Sequence, residues 1–191
     1  MKLRPRVLAI GGSTGGPNAL AAVLPALPAD FPLPVLVVQH MPPLFTGLLA
    51  ERLNTSCPLP VTEAKDGDGI QPGRIIIARG GYHLSVGEDR RIHLDQNPPR
   101  NSCRPAVDTL FDSVAAVYGG AVLAVVLTGM GVDGVAGAQK LHALGAHILV
   151  QDEATSVVWG MPGAVAKAGL ADRTLPLDSV APEILRLVHH H

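Results

Sequence analysis

Cysteine is almost missing from this chain: Cys57 and Cys103 are the only two in 191 residues, and no C-x-x-C spacing occurs. That excludes a disulfide framework and makes a reducing cytoplasm the natural setting, with each thiol free simply to be packed. An excess of charge of either sign is missing too, since 15 Lys plus Arg stand against 16 Asp plus Glu, a formal net charge of -1. No whole-chain field would gather a nucleic acid or an anionic membrane, so neither is expected as a partner. No apolar run is long enough to span a bilayer, which excludes direct membrane insertion by a helix. The N-terminus passes almost directly from Met1-Lys2-Leu3-Arg4 into a strand, leaving no room for a signal peptide. Charged residues are few, at 16%, and aromatics fewer, at 3%, whereas 47% of the chain is hydrophobic. This balance argues against disorder and for one compact cytoplasmic domain spanning residues 1–188. His189-His190-His191 reads as the remnant of a purification tag, and none of the five other histidines has a recognised metal spacing. No metal or other cofactor is expected.

Glycine, by contrast, is plentiful and clusters where a strand ends. The aliphatic run 6–10 leads into Gly11-Gly12-Ser13-Thr14-Gly15-Gly16-Pro17, and apolar residues at near-helical spacing follow over 18–27. Ser13 therefore sits on a strand-to-helix turn. Gly11, Ser13 and Gly15 satisfy G-x-S-x-G, the nucleophile-elbow pattern, in which small neighbours let the backbone bend sharply and present the hydroxyl. The same stretch also reads as a glycine-rich turn whose amides cap the next helix.

Pro34 opens a second apolar strand, Val35-Leu36-Val37-Val38-Gln39, which ends at His40, and helical spacing resumes over 46–53. Over 59–95 the pattern changes to short alternating segments between glycine-rich turns, which predicts a small antiparallel hairpin insert. Within it, Asp66-Gly67-Asp68-Gly69 lacks the downstream glutamate of a calcium loop and reads as a plain turn. Pro105 opens a helix with Val107, Leu110, Phe111 and Val114 on one side. Residues 121–127 form another covered strand, followed by the loop Thr128-Gly129-Met130-Gly131-Val132-Asp133-Gly134 and a helix through Ala138 and Leu141. A strand at 147–150 and helices at 162–168 and 180–188 complete the chain. Such alternation predicts a doubly wound α/β fold, with a mainly parallel sheet flanked by helices and joined by right-handed crossovers. Loops leaving the carboxyl ends of such strands converge, so Ser13, His40 and Asp133 are expected on one rim.

Those three residue types suit nucleophilic catalysis. A serine hydroxyl needs a base to take its proton, and imidazole, with a reference pKa of about 6.5, suits that task. His40 is the candidate base, and Asp133 could fix its tautomer and stabilise the imidazolium. Each also has a plain structural reading: Asp133 immediately precedes a helix and could be its N-cap, and His40 could be a strand-end histidine bonded to backbone. If Asp133 is catalytic, Asp133→Asn is expected to fold normally and lose about 10² to 10⁴ in turnover. His83, His93 and His142 read as structural or solvated. The chain order Ser, His, Asp differs from the α/β-hydrolases, which place the acid before the histidine. The first loop also lacks the G-x-G-x-x-G register, and Pro17 stands where a P-loop has lysine, although its turn could still cradle a phosphate.

Gly12-Ser13-Thr14-Gly15-Gly16, Gln39-His40-Met41-Pro42-Pro43 and Leu127-Thr128-Gly129-Met130-Gly131-Val132-Asp133-Gly134 together resemble the catalytic domain of the chemotaxis protein-glutamate methylesterases, the CheB family. Arg104-Pro105, Val107-Asp108 and Gly160-Met161-Pro162 share the resemblance, which covers nearly the whole chain. It implies a cytoplasmic signal-transduction hydrolase that removes methyl esters from glutamates on chemoreceptor cytoplasmic helices, releases methanol, and often deamidates receptor glutamines. By matching motif it implies Ser13 as nucleophile, His40 as general base and acid, Asp133 as its orienting partner, the Met130 amide as an oxyanion donor and Thr14 as support. The family usually carries an N-terminal phosphorylation receiver domain, which this sequence lacks and which would be a partner in a longer chain. Gly12, Val132 and Arg79 depart from residues often found in the pattern, leaving the triad positions untouched. Two other readings remain at this point: a nucleotide- or phosphate-binding module built on the first loop, and a non-catalytic receptor-binding adaptor.

Overall fold

A computed structural model describes residues 1–189; part of the expected tag remnant, His190 and His191, lies outside the described residues. Seven strands form one parallel sheet: β1 (Val7–Gly12), β2 (Val35–Gln39), β3 (Val61–Glu63), β4 (Ile75–Ile77), β7 (Val122–Val126), β8 (His147–Gln151) and β9 (Arg173–Leu175). Their order across the sheet is β3-β4-β2-β1-β7-β8-β9. The chain first fills one side of β1, with β2 beside it, β3 at the edge and β4 between those two, and then resumes on the other side of β1 with β7, so the order reverses between β1 and β7. Crevices at such a reversal are where open α/β sheets place their sites.

Strand alternation divides the core. Leu8 and Ile10 of β1 face α1 (Gly16–Val23), α2 (Phe45–Ser56) and α6 (Leu177–His189), while Val7 and Ala9 face α3 (Val107–Tyr118), α4 (Val135–Ala143) and α5 (Met161–Lys167). The central strands β1, β2, β7 and β8 are buried along their whole length, because helices cover both faces. Their uninterrupted apolar sequences have this cause.

The antiparallel element is smaller than 59–95. Its one antiparallel strand pair among the described residues is β5 (His83–Val86) with β6 (Ile92–Asp95), extended by an isolated antiparallel bridge between Gly69 and Arg91 and packing Leu84, Val86 and Ile92 into the α3 side of the core. The earlier part of that stretch supplies two parallel strands, β3 at the edge of the sheet and β4 between β3 and β2; three residues each are too few to show a period. Residues 66–69 form a turn, as expected: Asp68 accepts the Lys65 amide at 2.8 Å and Asp66 the Leu94 amide at 2.9 Å. α3 begins at Val107, two residues after the expected start, behind a cis Arg104-Pro105 peptide. β9 was not expected at all, since Arg173-Thr174-Leu175 is short and mostly exposed.

Candidate active site

Ser13, His40 and Asp133 all lie beyond the carboxyl ends of adjacent strands, β1, β2 and β7. The β1–β2 ladder runs right up to the site, where the His40 amide donates to the Gly12 carbonyl at 3.0 Å. On the other side the Ser13 amide donates to the Thr128 carbonyl at 3.0 Å, which carries the serine turn onto the β7 loop. Two side chains strap that turn down. The Gln39 amide donates to the Ser13 carbonyl at 2.7 Å, and the Thr128 hydroxyl donates to the Thr14 carbonyl at 2.9 Å. Gly15, at φ 80°, reverses the chain into α1, and Gly16 leaves room for Gln39, whose Oε1 would lie 1.9 Å from a Cβ there. Gly129 approaches the serine so closely that a Cβ on it would stand 2.7 Å from the Ser13 Cβ.

Asp133 is not the N-cap of the helix it precedes. Its Oδ2 accepts from His40 Nε2 and from the Val107 amide, each at 2.7 Å, and its Oδ1 accepts from the Asp108 amide and Asn101 Nδ2, each at 3.0 Å. It therefore caps α3, a different helix. The reverse also holds: Asp108, in the first turn of α3, accepts the Gly134 amide at 3.0 Å and the Gly137 amide at 2.8 Å at the start of α4. Each aspartate satisfies the open amides of the other's helix. Asn101, at φ 52°, joins the two carboxylates by also donating to Asp108 Oδ2 at 2.8 Å.

The two acids respond differently to this enclosure. Burial pushes the Asp133 carboxyl up, but hydrogen bonds from His40, Asp108 and Val107 outweigh it and hold the group below the usual carboxylate range. Burial also pushes Asp108 up, and there the bonds from Gly137 and Asn101 do not overcome it, with the Asp133 charge adding to the rise. Asp133 is 1% exposed and the His40 side chain 12%, so their contact is largely shielded from water.

With Nε2 held by Asp133, Nδ1 is the nitrogen left for chemistry. His40 lines an open cleft of about 320 Å³ whose walls also include Met41, Cys103, Arg104 and Pro105. Among the described residues no hydrogen bond links the Ser13 hydroxyl to His40; the Cys103 sulfur lies 3.6 Å from Nδ1. Hydrogen bonds of this type often form fully only when substrate is present. The Thr14 and Met130 amides donate to nothing among the described residues, so both are available to an incoming oxygen. Met130 itself is 65% exposed at the rim.

A family model described as CheB methylesterase matches residues 8–184. This chain belongs to the CheB methylesterase family. The crystal structure of the Thermotoga maritima CheB methylesterase catalytic domain superposes on it with a TM-score of 0.93 at 42% identity, covering 97% of this chain and 100% of that one. A relative from Trichodesmium erythraeum named protein-glutamate methylesterase/protein-glutamine glutaminase is 55% identical over 98% of this chain and 54% of its own length. One of the same name from Nocardioides is 57% identical over 95% of this chain and 50% of its own. The chain thus spans about half the length of the curated CheB relatives it matches.

Sequence reasoning brought the three triad-type residues together but missed most of what holds them. Gln39, Thr128 and Gly129 stand inside motifs without a role, and Asn101 stands outside every motif. Nothing in the sequence pairs Asn101 with two distant aspartates. The three histidines expected to be structural or solvated are so: His83 lies between the Pro98 carbonyl and the Ala106 amide, His93 pairs with Asp89 on the surface, and His142 is exposed on α4.

Proposed function

We propose that this domain is a serine hydrolase that removes methyl esters from glutamate side chains of chemoreceptor cytoplasmic helices, and also deamidates particular receptor glutamines. The buried contact between His40 Nε2 and Asp133 Oδ2, at 2.7 Å beside the strapped serine turn, carries the reading. An imidazole fixed in this tautomer offers the Nδ1 lone pair to the Ser13 proton, and the carboxylate opposite stabilises the cation that results. Ser13 Oγ attacks the ester carbonyl, and the amides of Met130 and Thr14 hold the developing oxyanion. His40 returns the proton to the leaving methoxide, giving methanol, or to the departing amide nitrogen of a glutamine, giving ammonia, and a glutamyl-serine ester remains. Water then attacks that ester with His40 again as base. Nothing in these steps calls for a metal or organic cofactor.

The phosphate-cradle reading draws less support. The Gly16 amide is committed to the Ser13 carbonyl at 2.8 Å, and Pro17 has no N–H, so the first turn of α1 has few donors left for an anion.

The test is methanol release from a methyl-esterified chemoreceptor cytoplasmic fragment. Release by the wild-type domain and none above background by Ser13→Ala is expected. Release that survives Ser13→Ala would remove the nucleophile from this position. No release by either protein, with receptor binding intact, would favour the adaptor reading.

A further inference from the structure

Cys103 has no part in the proposed hydrolysis, yet its sulfur sits 3.6 Å from His40 Nδ1, the atom that must receive the serine proton. Donor atoms of His40, Cys103 and Asp133 all lie within 4.8 Å of one another. Zinc-class ions bind thiolate sulfur at about 2.3 Å and imidazole nitrogen at about 2.0 Å, so two such ligands on one tetrahedral ion stand about 3.5 Å apart. The observed sulfur–nitrogen separation of 3.6 Å matches that spacing.

Asp133 has the other half of such a centre. Both its oxygens are occupied, by His40, Asn101 and the Val107 and Asp108 amides, so it orients the histidine rather than reaching a metal. A carboxylate on the far nitrogen of a ligating histidine fixes its tautomer and raises its basicity. Both ligand side chains line the same open cleft, so the remaining coordination positions face solvent.

We propose that His40 Nδ1 and Cys103 Sγ form a binding site for a thiophilic divalent cation of the zinc class, and that the metal switches the hydrolase off by capturing the base. The inhibitory half rests on the hydrolase reading; the binding half does not. On binding, one metal–nitrogen and one metal–sulfur bond form, the S–H bond breaks, and its proton passes to solvent. Without metal, the thiol can donate to the Asn101 carbonyl at 3.3 Å. A bound cation ends that bond, since a coordinating thiol is deprotonated outright.

Cobalt(II) reports the sulfur bond directly through its near-ultraviolet thiolate charge-transfer absorption. Titration of the full chain with cobalt(II) should develop this band, zinc should displace it, and both Cys103→Ser and His40→Gln should lack it. Cys57→Ser, at the other half-buried cysteine, should keep it. In parallel, zinc should inhibit methanol release by the wild type. In Cys103→Ser the zinc concentration for half-inhibition, taken against that protein's own metal-free rate, should rise by about tenfold or more. All proteins carry the same terminal histidines, so weak binding there cancels in the comparison. A cobalt band that persists in Cys103→Ser, or no band in wild type or Cys57→Ser, would overturn the site. Equal zinc sensitivity of wild type and Cys103→Ser would overturn the switch. If the wild type releases no methanol at all, the hydrolase reading fails while the cobalt band still decides the binding.

Discussion

Replacing Asp133 by asparagine disturbs two functions of one side chain. Each carboxylate oxygen accepts two hydrogen bonds, so an amide turned either way sets its NH₂ against two donors. The variant is therefore not expected to fold as well as the wild type, which revises the reading from sequence. Turnover should fall by about 10² to 10⁴ through loss of the histidine's orientation. Stability should fall by about 1–3 kcal/mol from unsatisfied buried donors, measurable by urea unfolding. The pH dependence has a definite sign. Asp133 is more acidic folded than unfolded, so its ionised form favours the fold, fully above the ordinary carboxylate range and progressively less as pH falls through its folded value. The part of the stability gap between wild type and Asp133→Asn that the Asp133 charge supplies should be present at about pH 5 and narrow below about pH 4. A gap that widens in acid would contradict this assignment.

At the level of turns and strands, the serine loop depends on close backbone approach. A Cβ on Gly129 would meet Met161 Sδ at 2.6 Å and the Ser13 Cβ at 2.7 Å, whereas one on Gly69 meets nothing within 4 Å. Gly129→Ala should displace Ser13 and lower turnover by about tenfold or more. Its overpacking cost should be about 1–3 kcal/mol. Gly69→Ala should leave turnover unchanged, and equal turnover in the two variants would show that the approach is dispensable. The turn was legible because glycines, a hydroxyl and flanking apolar runs occur within one short window. β1, β2 and β7 were legible because burial on both faces leaves continuous aliphatic sequence. β3 and β9 were not, since three residues carry no period and an edge strand needs only one covered face. The crossed bonds of Asp108 and Asp133 join residues 25 and 26 positions apart, and no local pattern announces them. The N-cap reading of Asp133 had the right chemistry and the wrong helix.

For the molecule as a whole, the seven-stranded order predicts a gradient of rigidity. β1 and β7 are central and fully buried, while β3 and β9 are three-residue edges. Amide exchange should be slowest in β1 and β7 and fastest in β3 and β9, and early exchange in β1 would refute a core centred there. Among the described residues no helix is long and apolar enough to cross a membrane. The crossed capping also bears on how other sequences of this fold should be read. An aspartate at this position holds helix ends together whether or not the protein does chemistry, so a descendant that has given up catalysis is still under pressure to retain it. Degenerate copies should therefore betray themselves at the serine or the histidine first, and an intact acid alone says nothing about whether the enzyme is alive.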